Sequence, residues 1–298
     1  HSRFSKESSF GASGSGRGAF SLAVSVGVFE DGGSCVMDGV DSRNARVVCY
    51  RADGTFTHDF QPGRVSSTNI DYVSTRLCVR PGADTVYALG DYGDDAIGVH
   101  RRDGTFIRSF GKRDSAVEPG IGICCGGLAV SREGEVFVQS AGSRILVYGE
   151  DGRFLRALWK GDRAVHGVLE AIALSPGDGS IIVITTGRRG VDNLGVKFDR
   201  GGLVIVLNKE GVVQRTFGEG ILQAPWTVTV SEQGEVIVSD RAKKKVFIFS
   251  TEGELLQELG RAEGIDVPRG IAVRADRRII VGDCQGAHVM SAAEPLPT

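Results

Sequence analysis

No apolar run in this chain of 298 residues approaches the ~18 that a membrane-spanning helix needs. Long stretches with apolar residues at helical spacing are absent too, which excludes a helical solenoid. There is no GxSxG elbow and no P-loop, so neither a serine hydrolase nor a nucleotide site can be read from a motif. The formal net charge of −2 gives no global basic signature for nucleic acid. No signal peptide is visible; the chain begins at His1 without a Met, as an excised domain would, so a targeting segment could have been removed. The six cysteines, Cys35, Cys49, Cys78, Cys124, Cys125 and Cys284, include no CxxC or other metal spacing. A chain of this size needs no disulfide staples, so a reduced, cytoplasmic protein is expected. Cys35 and Cys49 could face each other across a hairpin and are expected as two packed thiols. Cys124 and Cys125 lie in a linker and read as apolar packing.

What the chain does have is a repeat. Residues 226–260 read as four short strands closed by X-Gly turns, with Trp226–Val230 alternating and acid-Gly turns such as Glu252–Gly253. Such a meander has two apolar faces and cannot bury both alone. Copies supply the cover. First-hairpin turns fall near Gly33, Ala83, Gly134, Gly179, Gly234 and Asp276, a period of roughly 40–50 residues. Acid-Gly turns recur at Asp53, Asp103, Asp151, Glu210 and Glu252. The pattern predicts a single domain over residues 1–298, an all-β, six-bladed β-propeller of four-stranded antiparallel blades. The blades are expected at about 20–60, 74–111, 126–159, 170–218, 226–260 and 270–290. The sixth lacks its last strand. Residues 4–10 have that strand's shape and are expected to complete it, closing the ring and removing its edges.

Loops carry function on rigid scaffolds. The middle hairpin of the fourth unit swells over residues 187–202 and holds Arg188, Arg189, Lys197 and Arg200. The equivalent loop of the fifth unit holds Arg241, Lys243, Lys244 and Lys245, and Arg269 lies in the linker into the sixth. Arg188, Arg189, Lys197, Arg200, Lys243, Lys244, Lys245 and Arg269 are therefore the candidate binding residues, a local basic patch on a near-neutral protein. The competing reading is that these side chains only solvate exposed turns. Asp91, Asp94 and Asp95 form an acidic loop without the spacing of a calcium site, and read as a solvated turn.

The run at Phe10–Phe20 and the units 234–260 and 267–283 resemble NHL repeats. Pro268, Gly270, Ile271, Ala272, Val273 and Asp283 match the start of that pattern, and Asp240, Lys245, Val246 and Phe249 its middle. The third unit has Ser140 where the Asp would stand; the first, second and fourth are degenerate. The Asp closing the second strand reads as structural, a carboxylate for loop amides. The resemblance implies a six-bladed ring that binds through one face, as in the C-terminal domains of tripartite-motif ubiquitin ligases. The expected function is then a non-enzymatic platform that recruits a protein partner or substrate. Single-stranded RNA is the second choice, because the basic face with exposed aromatics that it needs is present only in part and Asp91, Asp94 and Asp95 would oppose it. No cofactor, metal or membrane partner is expected. A third reading is a metal-dependent propeller hydrolase or lyase, since some six-bladed propellers are calcium lactonases or zinc lyases. Against it, His1, His58, His100, His166 and His288 fall in unlike positions of different units.

Overall fold

The alternating strands build six four-stranded antiparallel sheets in the computed structural model, each ordered from the channel outwards. The structure describes residues 4–39, 45–63, 76–92, 95–112, 126–140, 144–161, 167–187, 189–192, 195–198 and 201–292. The inner strands of blades 1 to 6 are Ala23–Val28, Arg76–Val79, Leu128–Val130, Val168–Leu174, Pro225–Val230 and Ile271–Val273. Blade 5 shows the repeat most plainly: Pro225–Val230, Val236–Asp240, Lys245–Phe249 and Leu255–Leu259 follow one another in space as in sequence. No described helix is long and apolar enough to cross a membrane.

Period-two alternation explains how the blades stack. In blade 1, Cys35, Met37, Val47 and Cys49 turn toward Leu77, Val79 and Ala88 of blade 2. Their sequence neighbours Val36 and Val48 turn the other way, onto Ala272, Ile280 and Ala287 of blade 6. The same division yields six apolar clusters, each shared by two adjacent blades. No blade has a core of its own; the core is the ring.

The ring closes through the N-terminal strand, as the sequence implies. Phe4–Phe10 pairs antiparallel with Ala287–Ala292 as the outer strand of blade 6. Gln257 of blade 5 clasps its start: the Phe4 amide donates to Oε1 (2.8 Å) and Nε2 donates to the Phe4 carbonyl (2.8 Å). Arg278 donates to both carboxylate oxygens of Glu7. The acid-Gly turns have a second role in closure. Gly54 and Gly253 take φ of +84° and +90°, and a Cβ at either would strike the ring of Phe10 or Phe217 from the preceding blade's outer strand. Phe60 meets Gly104 and Phe110 meets Gly152 in the same way. Phe10 thus supplies to blade 1, from the other end of the chain, the contact that its neighbours receive from the blade before.

One expectation is corrected. Cys35 and Cys49 are joined in a disulfide, not packed as thiols. They are directly opposed across the second and third strands of blade 1, with Cα atoms 4.2 Å apart. That is the close spacing of a narrow antiparallel pair, and both residues are buried against blade 2. The bond removes the cysteine argument for a reduced environment. Replacing both residues by alanine is expected to cost about 2–4 kcal/mol of stability, the usual value for a loop of this order. Urea unfolding of the variant beside the parent checks this; coincident transitions would show that the bond adds nothing.

Candidate active site

The inner edge of each inner strand faces the channel, so its carbonyls have no neighbouring strand to pair with. At the end where these strands begin, one side chain answers three of them. Arg76, at the start of the blade 2 inner strand, donates from Nε to Gly126 O of blade 3 (2.9 Å). Its Nη1 reaches Val24 O of blade 1 (3.0 Å) and its Nη2 reaches Trp226 O of blade 5 (3.0 Å). The residue is 5% exposed. Burial draws its pKa down to about 10, helped by the charges of Arg269 and Arg241 and opposed by Glu170. It stays protonated at neutral pH. Below it lies a channel of about 1180 Å³, lined by apolar residues such as Val26, Leu77, Leu128, Ile172, Val228 and Ile271 and, farther along, by charged ones such as Arg132, Asp178 and Arg274. Arg76 caps this channel at the end where Trp226, Arg241 and Arg269 lie.

Trp226 stands beside it. Its indole N–H donates to the same Val24 carbonyl (3.2 Å). Three guanidinium carbons lie near its ring centroid: Arg76 at 4.5 Å, Arg241 at 4.7 Å and Arg269 at 5.1 Å. Cation–π attraction explains how three like charges gather on one side chain. Each position follows from the local backbone. The register slips between Ala23 and Ser25, between Leu169 and Ala171, and between Pro225 and Thr227. Val24, Glu170 and Trp226 are therefore bulged, and a bulge re-aims a side chain at the rim of a sheet. Glu170 accepts from Thr186 Oγ1 (2.9 Å) and supplies the negative charge acting on Arg76. Arg269 precedes the blade 6 inner strand. Burial and the charge of Arg241 hold its pKa below the ordinary arginine value.

The strand-ending Asp residues are structural, as read from the repeat. Asp240 accepts from the amides of Gln223, Ala224, Ala242 and Lys243, so it pins the loops on both sides. Asp283 does the same for Asp266, Gln285 and Gly286, and Asp38 for Ser21 and Leu22. In blade 3, where Ser140 replaces the Asp, Gln139 Oε1 takes over the amides of Gly126 and Gly127. This pinning holds Arg241 and Arg269 at the mouth.

Of the basic residues singled out in the sequence, Arg269 reaches this cluster. Lys244 is paired with Asp266 (3.0 Å) and Lys245 with Glu258, while Lys243 is exposed. Arg189 and Lys197 fall on a two-stranded ribbon, Arg189–Asp192 with Gly195–Phe198. Arg188 and Arg200 lie outside the described residues, as do Asp94, Cys124, Cys125, His1 and His166. Asp95 accepts from Ser109 Oγ (2.8 Å). Arg76, Glu170 and Trp226 were missed. The signal was available: aligned on their turns, Gly126, Glu170, Trp226 and Arg269 occupy one repeat position.

The described histidines do not converge. His58 contacts the Arg102 carbonyl (2.8 Å). His288 links Asp283 Oδ2 (3.0 Å) to Ser9 Oγ (3.1 Å) of the closing strand. His100 touches Tyr92 Oη (3.2 Å) inside blade 2. No group of three or more His, Cys, Asp or Glu among the described residues could hold a metal ion. Among the described residues, three guanidinium groups gather at the mouth beside one carboxylate not taken up by loop amides, Glu170, a set that repels a cation. The described residues therefore do not fit a zinc or calcium site.

No protein-family model matches the chain, and no curated protein matches it in sequence. Solved structures do share the fold. A gluconolactonase from Xanthomonas campestris is similar with a TM-score of 0.64 at 14% identity, over 98% of this chain and 90% of that one. A streptogramin B lyase gives 0.61 at 13%, over 97% and 98%. The virginiamycin B lyase of Staphylococcus aureus gives 0.55 at 13%, over 94% and 82%. These likenesses establish the six-bladed propeller. They also correct the expectation of a non-enzymatic recruiting platform, since these similar propellers are those of a lactonase and of lyases.

Two outcomes are expected. Arg76→Met removes the donor from the Gly126 and Trp226 carbonyls and leaves the Val24 carbonyl to the Trp226 indole alone; it should cost about 2–4 kcal/mol, read by denaturant unfolding. His100 is 2% exposed and burial lowers its pKa. Below its ordinary value of ~6.5 the unfolded chain takes up a proton that the folded chain refuses, so stability falls with acid by up to about 1.4 kcal/mol per pH unit. His100→Gln should flatten that slope between pH 6.5 and 5; an unchanged slope would place the proton uptake elsewhere.

Proposed function

We propose that the protein is a propeller enzyme of the hydrolase or lyase kind, acting at the channel mouth without a metal ligated by the described residues. The observation that carries this reading is the union, at one end of the axis, of a carboxylate with guanidinium groups that the fold has not spent. Arg76 has its three nitrogens on carbonyls and serves as floor. Arg241 and Arg269 form no ion pair among the described residues and are free to meet charge. Glu170, bulged into the same layer, is the candidate general base. It would take a proton either from water attacking an ester carbonyl or from a carbon next to the bond that breaks. Arg241 and Arg269 would stabilise the oxyanion or enolate that develops, which is where preorganised charge contributes most. Trp226 fixes both guanidinium groups in place before reaction, so little reorganisation is needed. The similarity to lactonase and lyase propellers agrees with this chemistry.

The test is turnover of a panel of cyclic esters, with gluconolactone and streptogramin B among them, by the parent and Glu170→Gln. Parent turnover should exceed that of the variant by about 10²–10⁴-fold, the usual contribution of a general base. The two should melt alike. No turnover across the panel, or an equally active Glu170→Gln protein, would overturn the proposal.

A further inference from the structure

From the surplus of positive charge among the described residues at the mouth we infer that the site takes a substrate carrying its own oxyanion, a carboxylate or a phosphate, held by Arg241 and Arg269. The inference rests on the catalytic reading above and names its substrate class. One guanidinium group would suffice to meet the charge that develops in ester cleavage or elimination. Here three stand within 4.5–5.1 Å of one indole centroid, from blades 2, 5 and 6. The carboxylate whose charge acts at this cluster, Glu170, belongs to blade 4 and accepts from Thr186. Several arginines elsewhere are neutralised, Arg46 by Asp38 and Asp59, Arg102 by Asp31 and Asp84, Arg156 by Glu135, and Arg278 by Glu7 and Asp276. Arg241 and Arg269 meet no carboxylate among the described residues, although they are half-buried and share one indole. Arg269 Nε, moreover, is buried with no hydrogen-bond partner, and a buried donor left unmade is costly.

Like charges held together against their mutual repulsion are a standing cost unless a ligand offsets it. Guanidinium groups are also the side chains best matched to planar, two-pronged oxyanions. The pair is fixed from behind. Asp240 pins the loop that carries Arg241. The Arg269 carbonyl accepts from Ser239 Oγ (2.7 Å), and its amide donates to Gly282 O (2.9 Å). A neutral substrate would leave both charges unanswered in a half-buried site.

The test reads Trp226 directly. In a Trp159→Phe background, Trp226 is the one remaining tryptophan of the two in the chain. Its fluorescence is followed while inorganic phosphate or gluconate is added. A saturable change is expected with at least one of them, weakening as sodium chloride rises. Arg241→Gln and Arg269→Gln should each raise the apparent Kd at least tenfold, while Arg269→Lys retains part of the affinity. A response to phosphate alone assigns a phosphate ester, one to gluconate alone a carboxylate, and one to both an oxyanion of either kind. Calorimetry on the parent with the same two anions gives the answer should the Trp159→Phe protein fail to fold. No saturable binding, or binding indifferent to both arginines, would overturn the inference. Turnover of neutral gluconolactone without anion binding would overturn it and leave the catalytic proposal standing; anion binding without turnover across the panel would do the reverse.

Discussion

Arg76 is where the geometry of the ring and the chemistry of its mouth meet. Six sheets set around an axis leave six inner strands with one edge unpaired. Below the mouth the channel is wide enough for water to serve those edges. At the mouth it is not: the carbonyls of Val24, Gly126 and Trp226 come within reach of one another, and a single guanidinium group answers all three. Few other side chains can do this. Lysine has the donors but not the planar spread, and its ammonium gives up a proton more readily on burial. Arginine can lose part of its hydration and keep its charge. The axis therefore carries a permanent cation, and everything placed near it must accommodate one.

The accommodation is visible blade by blade. Blade 5 answers with the face of Trp226 and blade 4 with Glu170. Blade 6 and the blade 5 loop answer with two more cations, which lie against the indole. A protein that needed the axis merely sealed had simpler means, such as leucine side chains at the same repeat position. The polar layer costs stability and burdens folding with charge burial. That is the pattern expected where function and not packing sets the residue.

The fold was legible because the repeat is written in local terms. Strand alternation, acid-Gly turns and the recurring outer-strand aromatic are short-range signals, and six copies reinforce one another. Phe10 could be matched to Phe110 and Phe217 by shape alone, which gave the closure of the ring. The site was not legible in the same way. Reasoning from loop length favoured the swollen segment around Arg188–Arg200, and reasoning from charge density favoured Lys243–Lys245. Yet Lys244 and Lys245 are spent on Asp266 and Glu258, partners 22 and 13 residues away that no sequence window couples to them. Arg76, Trp226 and Arg269 come from three blades, and their meeting is a property of the axis. The disulfide escaped for a related reason: opposed cysteines in a hairpin fit equally well as thiols until their separation is known.

The same repeat explains why a fold shared at 13–14% identity carries so little sequence signal. Blade packing asks only for alternating apolar residues of suitable volume, and many sequences satisfy it. The turn glycines and the pinning carboxylates ask for more, but Gln139 shows that even the latter can be replaced by a neighbour one position away. What cannot be exchanged freely is the single layer where all six inner strands begin. Arg76 and Trp226 there touch the chain from other blades, so a change at either alters the surroundings of several. A ring whose packing constrains sequence so loosely leaves that layer as the place where its residues are set by something other than packing.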